Sequence, residues 1–375
     1  MSLSRSFPLP TVPQWKWIIA ASAVFALFLC ADRAEALRWG DFEYEITNED
    51  EVVITGYTGD DDEVDIPATI DGRPVTKIGE EAFMDQFGIN SVTIPPGVTE
   101  IGDRAFNWAY FLQKVTIPNS VIRIGEAAFE YTQLWSVTIP ESVTEIGPYA
   151  FANIDLLEDV TLPGSLAEIP DYAFYYCVGL ESVVIPEGVV RIGDSAFSFG
   201  RLQSVTLPDT LKEIGPDAFS FNELEELTIP DGVEIIGDNA FDSNSIKSVT
   251  IPESVIKIGS GAFGYNEISS VTLPSGLTEI ASYAFASNSL KNVEIPAGVT
   301  KIGDSAFQHN DLQSVTLPDG LVEIGEWAFA LNELTGIVIP DSVTKIGADA
   351  FYDNDLENVR LPEGLTENRK RRFRE

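Results

Sequence analysis

Leu312 to Glu333 reads LQSVTLPDGLVEIGEWAFALNE, and nearly everything between Val64 and Leu365 is a variation on that stretch. An Ile/Leu-Pro step recurs from Pro67 to Pro362. Its interval is 22 residues from Pro186 onward, and 22 or 23 before it apart from one opening gap of 28. An Ala-Phe pair keeps the same beat thirteen times, from Phe83 to Phe351. A fixed period in this range marks a solenoid, in which each unit buries its apolar face only against its neighbours. One continuous stack has no internal domain boundary, so the length of the chain does not imply several domains.

Read position by position, each repeat gives the path of one coil. Ser314-Val315-Thr316-Leu317 alternates polar and apolar, which predicts a short strand with Val and Leu inward. The proline that follows ends the ladder. Val322-Glu323-Ile324 reads as a second, shorter extended piece. Gly325 is expected to permit a turn, and Glu326-Trp327-Ala328-Phe329 to form one helical or 3₁₀ turn, with an acidic residue as its N-cap. The expected fold is a repeat solenoid of about 13 coils of 22–23 residues, built from short parallel β-strands and 3₁₀ or helical turns.

Two columns run from coil to coil. Three residues after the Phe, the last seven repeats carry Asn, from Asn222 to Asn354, an amide suited to satisfying buried loop backbone. Cys177 falls in the same column and reads as a small buried packing residue. Before the glycine-preceding Ile, Lys257, Glu279, Lys301, Glu323 and Lys345 alternate in sign. Each is expected to meet an opposite charge on both sides, which disfavours slippage by one coil.

The ends differ from the middle. Residues 1–36 read as an export signal: Arg5 and Lys16 supply positive charge, Ile18 to Ala31 is an apolar run, and Ala34-Glu35-Ala36 fits a small-x-small cleavage site. That run is too short for a comfortable membrane span, so no stable insertion is expected after cleavage. Residues 37–58 read as a β-hairpin capping the stack, 59–366 as the solenoid, and 367–375 as a basic tail. Cleavage would leave Cys177 as the one remaining cysteine, so no intramolecular disulfide is expected.

The motif L-x-x-V-x-I/L-P-x-x-V/L-x-x-I-G-x-x-A-F-x-x-N/C resembles the repeat of the BspA-like leucine-rich repeat proteins, over about 300 residues. The resemblance implies a leucine-rich-repeat solenoid with parallel strands, exported and displayed on a bacterial surface, and a role in adhesion to host or matrix proteins or to other cells. It carries no residue-level binding motif.

A net charge of −36 argues against a nucleic-acid partner. The chain has a single histidine, His309, so neither a Ser-His-Asp nor a local Cys-His arrangement is expected, and no cofactor, metal site or enzymatic activity is predicted. Asp60-Asp61-Asp62-Glu63 is the one run that would suit Ca²⁺, without EF-hand spacing.

The expected partner is an extracellular protein or glycan. The candidate ligand-binding residues are Trp108, Tyr131, Tyr176, Phe199, Phe221 and Tyr265, each two residues after a repeat Phe and hence an intermittent aromatic stripe. The competing reading of the stripe is that these rings cover neighbouring loops. Two other functions compete with adhesion. One is an envelope spacer without a specific ligand. The other is an ice- or crystal-surface binder using the outward Ser-x-Thr ladder, as at Ser204/Thr206 and Ser314/Thr316.

Overall fold

The computed structural model describes residues 36–362. All but the last residue of the export segment, and the basic tail at 367–375, lie outside them. Each coil contributes one strand of two or three residues before its proline, such as Ser314–Thr316, and one of two residues before its glycine, such as Glu323–Ile324. Both kinds pair in parallel with their equivalents on the neighbouring coil, for example Val249 with Val271 and Ile324 with Ile346. The chain is thus a β-solenoid of the leucine-rich-repeat type.

Strands β1 (Leu37–Trp39), β2 (Phe42–Ile46) and β3 (Val52–Tyr57) pair antiparallel in sequence order. β3 then pairs in parallel with Arg73–Ile78, which continues through Glu100–Ile101 to Glu145–Ile146. The edge of the first coil is therefore occupied rather than open.

The repeat Phe side chains form a buried spine. Consecutive rings from Phe83 to Phe351 stack nearly parallel, with centroids 4.9–5.7 Å apart. The N-terminal strands extend it, since Tyr57 stacks on Phe83 and Phe42 lies against Tyr57. Ala stays small beside each Phe because it is fully enclosed, as at Ala105 and Ala328.

The expected helical or 3₁₀ turn is not present: among the described residues there is no helix. The Gly-to-Ala segment is instead a β-turn. The Ala105 amide donates to the Gly102 carbonyl (3.2 Å), with Arg104 at φ +54° in the third position. Alternate amides point to the next coil, as Arg104 to Glu126 (2.7 Å) and Phe106 to Ala128 (2.8 Å). A helix would need those amides for its own carbonyls. The acid at the turn does not cap its own coil either. Asp103 Oδ1 accepts the amide of Glu126 on the following coil at 3.0 Å, and Asp304 Oδ1 that of Glu326 at 2.8 Å.

The glycine after each Ile is required for close approach rather than for an unusual φ. A Cβ on Gly325 would lie 2.5 Å from the backbone of Asp304 and of Gly303 on the preceding coil. Two coils carry Pro170 and Ala281 in that column, and the ladder of two-residue strands breaks before both of them. The broken ladder also revises the expected charge alternation. The strand of Lys257 does not pair with that of Glu279, whereas Glu279, Lys301, Glu323 and Lys345 remain in register. At the other end, Lys77 contacts Glu100 (2.9 Å) and Arg123 bridges Glu100 and Glu145 (3.1 Å each).

Candidate binding surface

Two residues after each spine Phe the backbone is left-handed, whatever the side chain. Trp108 (φ +58°), Tyr131 (+59°), Tyr176 (+57°), Phe199 (+58°), Phe221 (+55°) and Tyr265 (+52°) share this conformation with Asp85, Asn153, Ser243, His309 and Asp353. What closes the turn varies: the Ala109 amide donates to the Phe106 carbonyl (3.0 Å), the Thr132 hydroxyl to that of Phe129 (2.9 Å), and the side-chain amide of Asn222 to that of Phe219 (3.1 Å). A side chain here stands at the outer corner of the coil, away from the spine. Trp108, Tyr176, Phe199 and Phe221 are 39–47% exposed and Tyr265 60%, while Tyr131 is half-buried.

The six candidates therefore form one column, but not one continuous stack. Trp108 stacks on Tyr131 at 4.2 Å, and Phe199 on Phe221 at 4.5 Å. Asn153 interrupts the column between Tyr131 and Tyr176, and Ser243 interrupts it between Phe221 and Tyr265. Other exposed rings gather toward the N-terminal end of the column, at Phe87, Tyr110, Phe111 and Trp135, with Trp39 before them and Tyr283 beyond Tyr265. Beyond Tyr283 the exposed large apolar residues among those described are Val322 and Val338.

Polar groups beside the stripe were not legible as part of it. Glu130, next to Tyr131, is half-buried and accepts hydrogen bonds from Asn107 Nδ2 (2.9 Å) and Asn153 Nδ2 (3.1 Å). Burial pushes its carboxyl up, and the two amides oppose that shift. Asp242 is similar: burial raises its carboxyl, and the Ser243 hydroxyl donates to it at 2.8 Å. The column they occupy is mixed, with Asn107, Ala152, Tyr175, Ser198 and Gln308 among its members, so their acidity carried little signal. Tyr149 and Tyr172, stacked at 4.5 Å, add a second short aromatic column, in the position before the repeat Ala.

The remaining chemical candidates are dispersed. Cys177 is buried, its thiol donates to the Phe151 carbonyl (3.2 Å), and burial pushes its pKa up to about 12. His309 lies six coils further along the stack. Asp60 to Glu63 do not converge: among the described residues no group of three or more His, Cys, Asp or Glu could hold a metal ion. No helix among them is long and apolar enough to cross a membrane. The outward Ser-x-Thr strands pair in separate runs of two or three, so they do not form one uninterrupted flat array.

The model of the BspA type leucine rich repeat region matches residues 76–199, 167–291 and 257–375. Among solved structures, a leucine-rich repeat protein from Bacteroides ovatus ATCC 8483 is 25% identical, with 88% of this chain and 89% of that one covered and a TM-score of 0.59. A leucine rich cell surface protein from Faecalibacterium prausnitzii A2-165 is 29% identical, covering 90% and 96%, with a TM-score of 0.51. The pneumococcal vaccine antigen PcpA, 19% identical over 88% and 100%, shares the fold with a TM-score of 0.60. A search of curated proteins finds none that matches. Motif, fold and family model agree: the chain belongs to the BspA-type leucine-rich repeat family.

Proposed function

We propose that this chain is an exported, non-catalytic interaction protein of a bacterial surface, which holds an extracellular protein or glycan on its aromatic stripe. One observation carries the reading. Bulky rings stand exposed at a left-handed backbone position, where a residue with a Cβ costs about 1–2 kcal/mol more than glycine. Local preference alone would place Gly, Asn or Asp there, as at Asp85 and Asn153. These rings also fill no core volume, since the spine Phe and the residue three beyond it already occupy the interior.

Family and fold support the same role, because leucine-rich repeat solenoids are typically non-catalytic scaffolds with long exposed surfaces. The cell-surface relative from Faecalibacterium prausnitzii supports display at the envelope. The export-like segment at residues 1–36 points the same way. Anchors of this type are commonly Trp and Tyr, which bring large area at low entropic cost.

The test is replacement of Trp108, Tyr131 and Tyr176 together by serine, followed by capture of extracellular proteins and glycans. Binding should be lost while the melting temperature stays within a few degrees. Equal capture by parent and variant would remove the stripe from the binding surface. A large fall in melting temperature would assign the rings to packing.

A further inference from the structure

The two interruptions of the stripe share the same order of rings and differ in where the acid sits. At the first, Tyr131 is stacked on Trp108, the next coil carries Asn153, and Tyr176 follows. At the second, Phe221 is stacked on Phe199, the next coil carries Ser243, and Tyr265 follows. In each, a half-buried carboxylate is hydrogen-bonded to the small polar residue in the gap, Glu130 on the preceding coil to Asn153 at 3.1 Å, and Asp242 on the gap's own coil to its neighbour Ser243 at 2.8 Å. Asn153 and Ser243 lie four coils apart. Among the described residues Trp108 is the only ring on Tyr131, and Phe199 the only ring on Phe221. Each gap is therefore bordered by a ring on whose far side no other ring stacks.

The width of the gap selects what fits. One coil step is 4.2–4.5 Å between stacked rings of the stripe and 4.9–5.7 Å along the spine. Skipping one coil thus leaves roughly 9–11 Å between the flanking positions. A flat aromatic group held on both faces needs only about 7 Å. A puckered saturated ring is thicker and fills the space. An aliphatic side chain would take water from the carboxylate and offer its remaining acceptor sites no donor. An anionic group would meet that carboxylate and a chain of net charge −36. A neutral sugar meets every requirement, with its C–H face against the aromatic wall and its hydroxyls donating to the acid.

From this geometry we propose that each gap receives the end of a neutral pyranose chain, with Tyr131 and Tyr176, or Phe221 and Tyr265, as walls and Glu130 or Asp242 as acceptor. The inference rests on the stripe being the binding surface. The stacked rings lie across the solenoid axis, so a sugar chain enters from the side and the two gaps take two separate ends. A ligand presenting many ends then gains from both at once through effective concentration.

The experiment fills the gaps instead of removing their walls. Asn153→Tyr and Ser243→Phe continue the stripe with residues that the same backbone position accepts on neighbouring coils. The full chain and these variants are presented with immobilised gluco-, galacto-, manno- and N-acetylglucosamine-terminated oligosaccharides, and with sialylated counterparts. The parent should bind at least one neutral series and not its sialylated form. Filling one gap should weaken binding to a multivalent display at least tenfold, and filling both should abolish it, with melting temperatures within a few degrees of the parent. Filled variants that bind like the parent, or a parent that binds no neutral sugar at millimolar concentration, overturn the proposal. Capture of proteins by the Trp108, Tyr131 and Tyr176 serine variant is measured alongside. If that capture is lost while no sugar binds, the sugar assignment falls and the stripe stands; if capture is unaffected, the stripe itself falls.

Discussion

The side-chain amide of Asn244 donates to the carbonyl oxygen of Phe219 on the preceding coil, at 2.9 Å. It also donates to Phe241 on its own coil (3.2 Å), while its oxygen accepts the amide of Leu224 (3.1 Å). Asn222, Asn266, Asn288, Asn310, Asn332 and Asn354 repeat the arrangement. One side chain per coil thus satisfies backbone groups of two coils, in a position that is buried at all of these but the part-buried Asn354.

Asn244→Ala should therefore cost more than one ordinary hydrogen bond. Each buried group left without a partner costs about 1–3 kcal/mol, so a loss of about 3 kcal/mol is expected in urea denaturation. A loss under about 1 kcal/mol would mean that water or a shifted loop replaces the amide.

Truncating the spine should be costly as well. Phe219 and Phe263 are fully enclosed, each with a ring above and below. Phe219→Ala or Phe263→Ala is expected to destabilise by roughly 3–5 kcal/mol, the range for a buried aromatic truncation. Equilibrium unfolding of either variant measures it, and a change below about 1 kcal/mol contradicts an enclosed spine.

The glycine column predicts an asymmetry between two one-methyl changes. Gly325→Ala puts a Cβ against the backbone of Gly303 and Asp304, and should cost about 1–3 kcal/mol as the coils are forced apart. Ala281→Gly removes the methyl at a place where the ladder is already broken, so it should change stability by less than about 1 kcal/mol. Equal costs in thermal melts would show that close approach is not what the column selects for.

Acidification should stabilise the fold. Burial raises the carboxyls of Glu130, Asp155, Asp194, Asp217 and Asp242 in the folded chain. A raised folded pKa gives stability that is fully present below the unfolded value and lost as pH rises through the folded one. Glu225 and Glu253, lowered by hydrogen bonds from Lys247 and from Ser275, act oppositely, and their contribution is lost only as pH falls through their own depressed values. Self-repulsion of a chain with net charge −36 weakens on the same acid shift. The melting temperature in low salt should be higher at about pH 5 than at about pH 7; a lower value at pH 5 would sink the argument.

What the sequence disclosed follows from the period. The Phe, Asn and Ile columns are legible because a residue repeated at one coil's spacing must meet its own copies, and only buried side chains are held so constant. The left-handed turns were hidden because their positions carry Arg104, Tyr149, Asp217 and Trp327, with glycine only at Gly261. The acid at each turn read as a local cap, whereas Asp103 and Asp304 reach forward to the next coil. The column of candidate rings was visible, but not its exposure, nor the carboxylates of Glu130 and Asp242, whose partners are set by side-chain packing rather than by spacing.

Pro170 and Ala281 part the coils on one side only. Across the first seam the Phe151 amide still reaches the Ala173 carbonyl (2.9 Å) and the Asn153 amide the Tyr175 carbonyl (2.7 Å); across the second, Phe263 reaches Ala284 (3.0 Å). The Phe rings keep their 5.5 Å step through both. The stack is thus bound along one margin and loose along the other, like pages in a book. Bending at these two places would change the curvature of the whole length while the Phe-bearing margin kept its spacing, which would let the proposed surface follow an uneven partner.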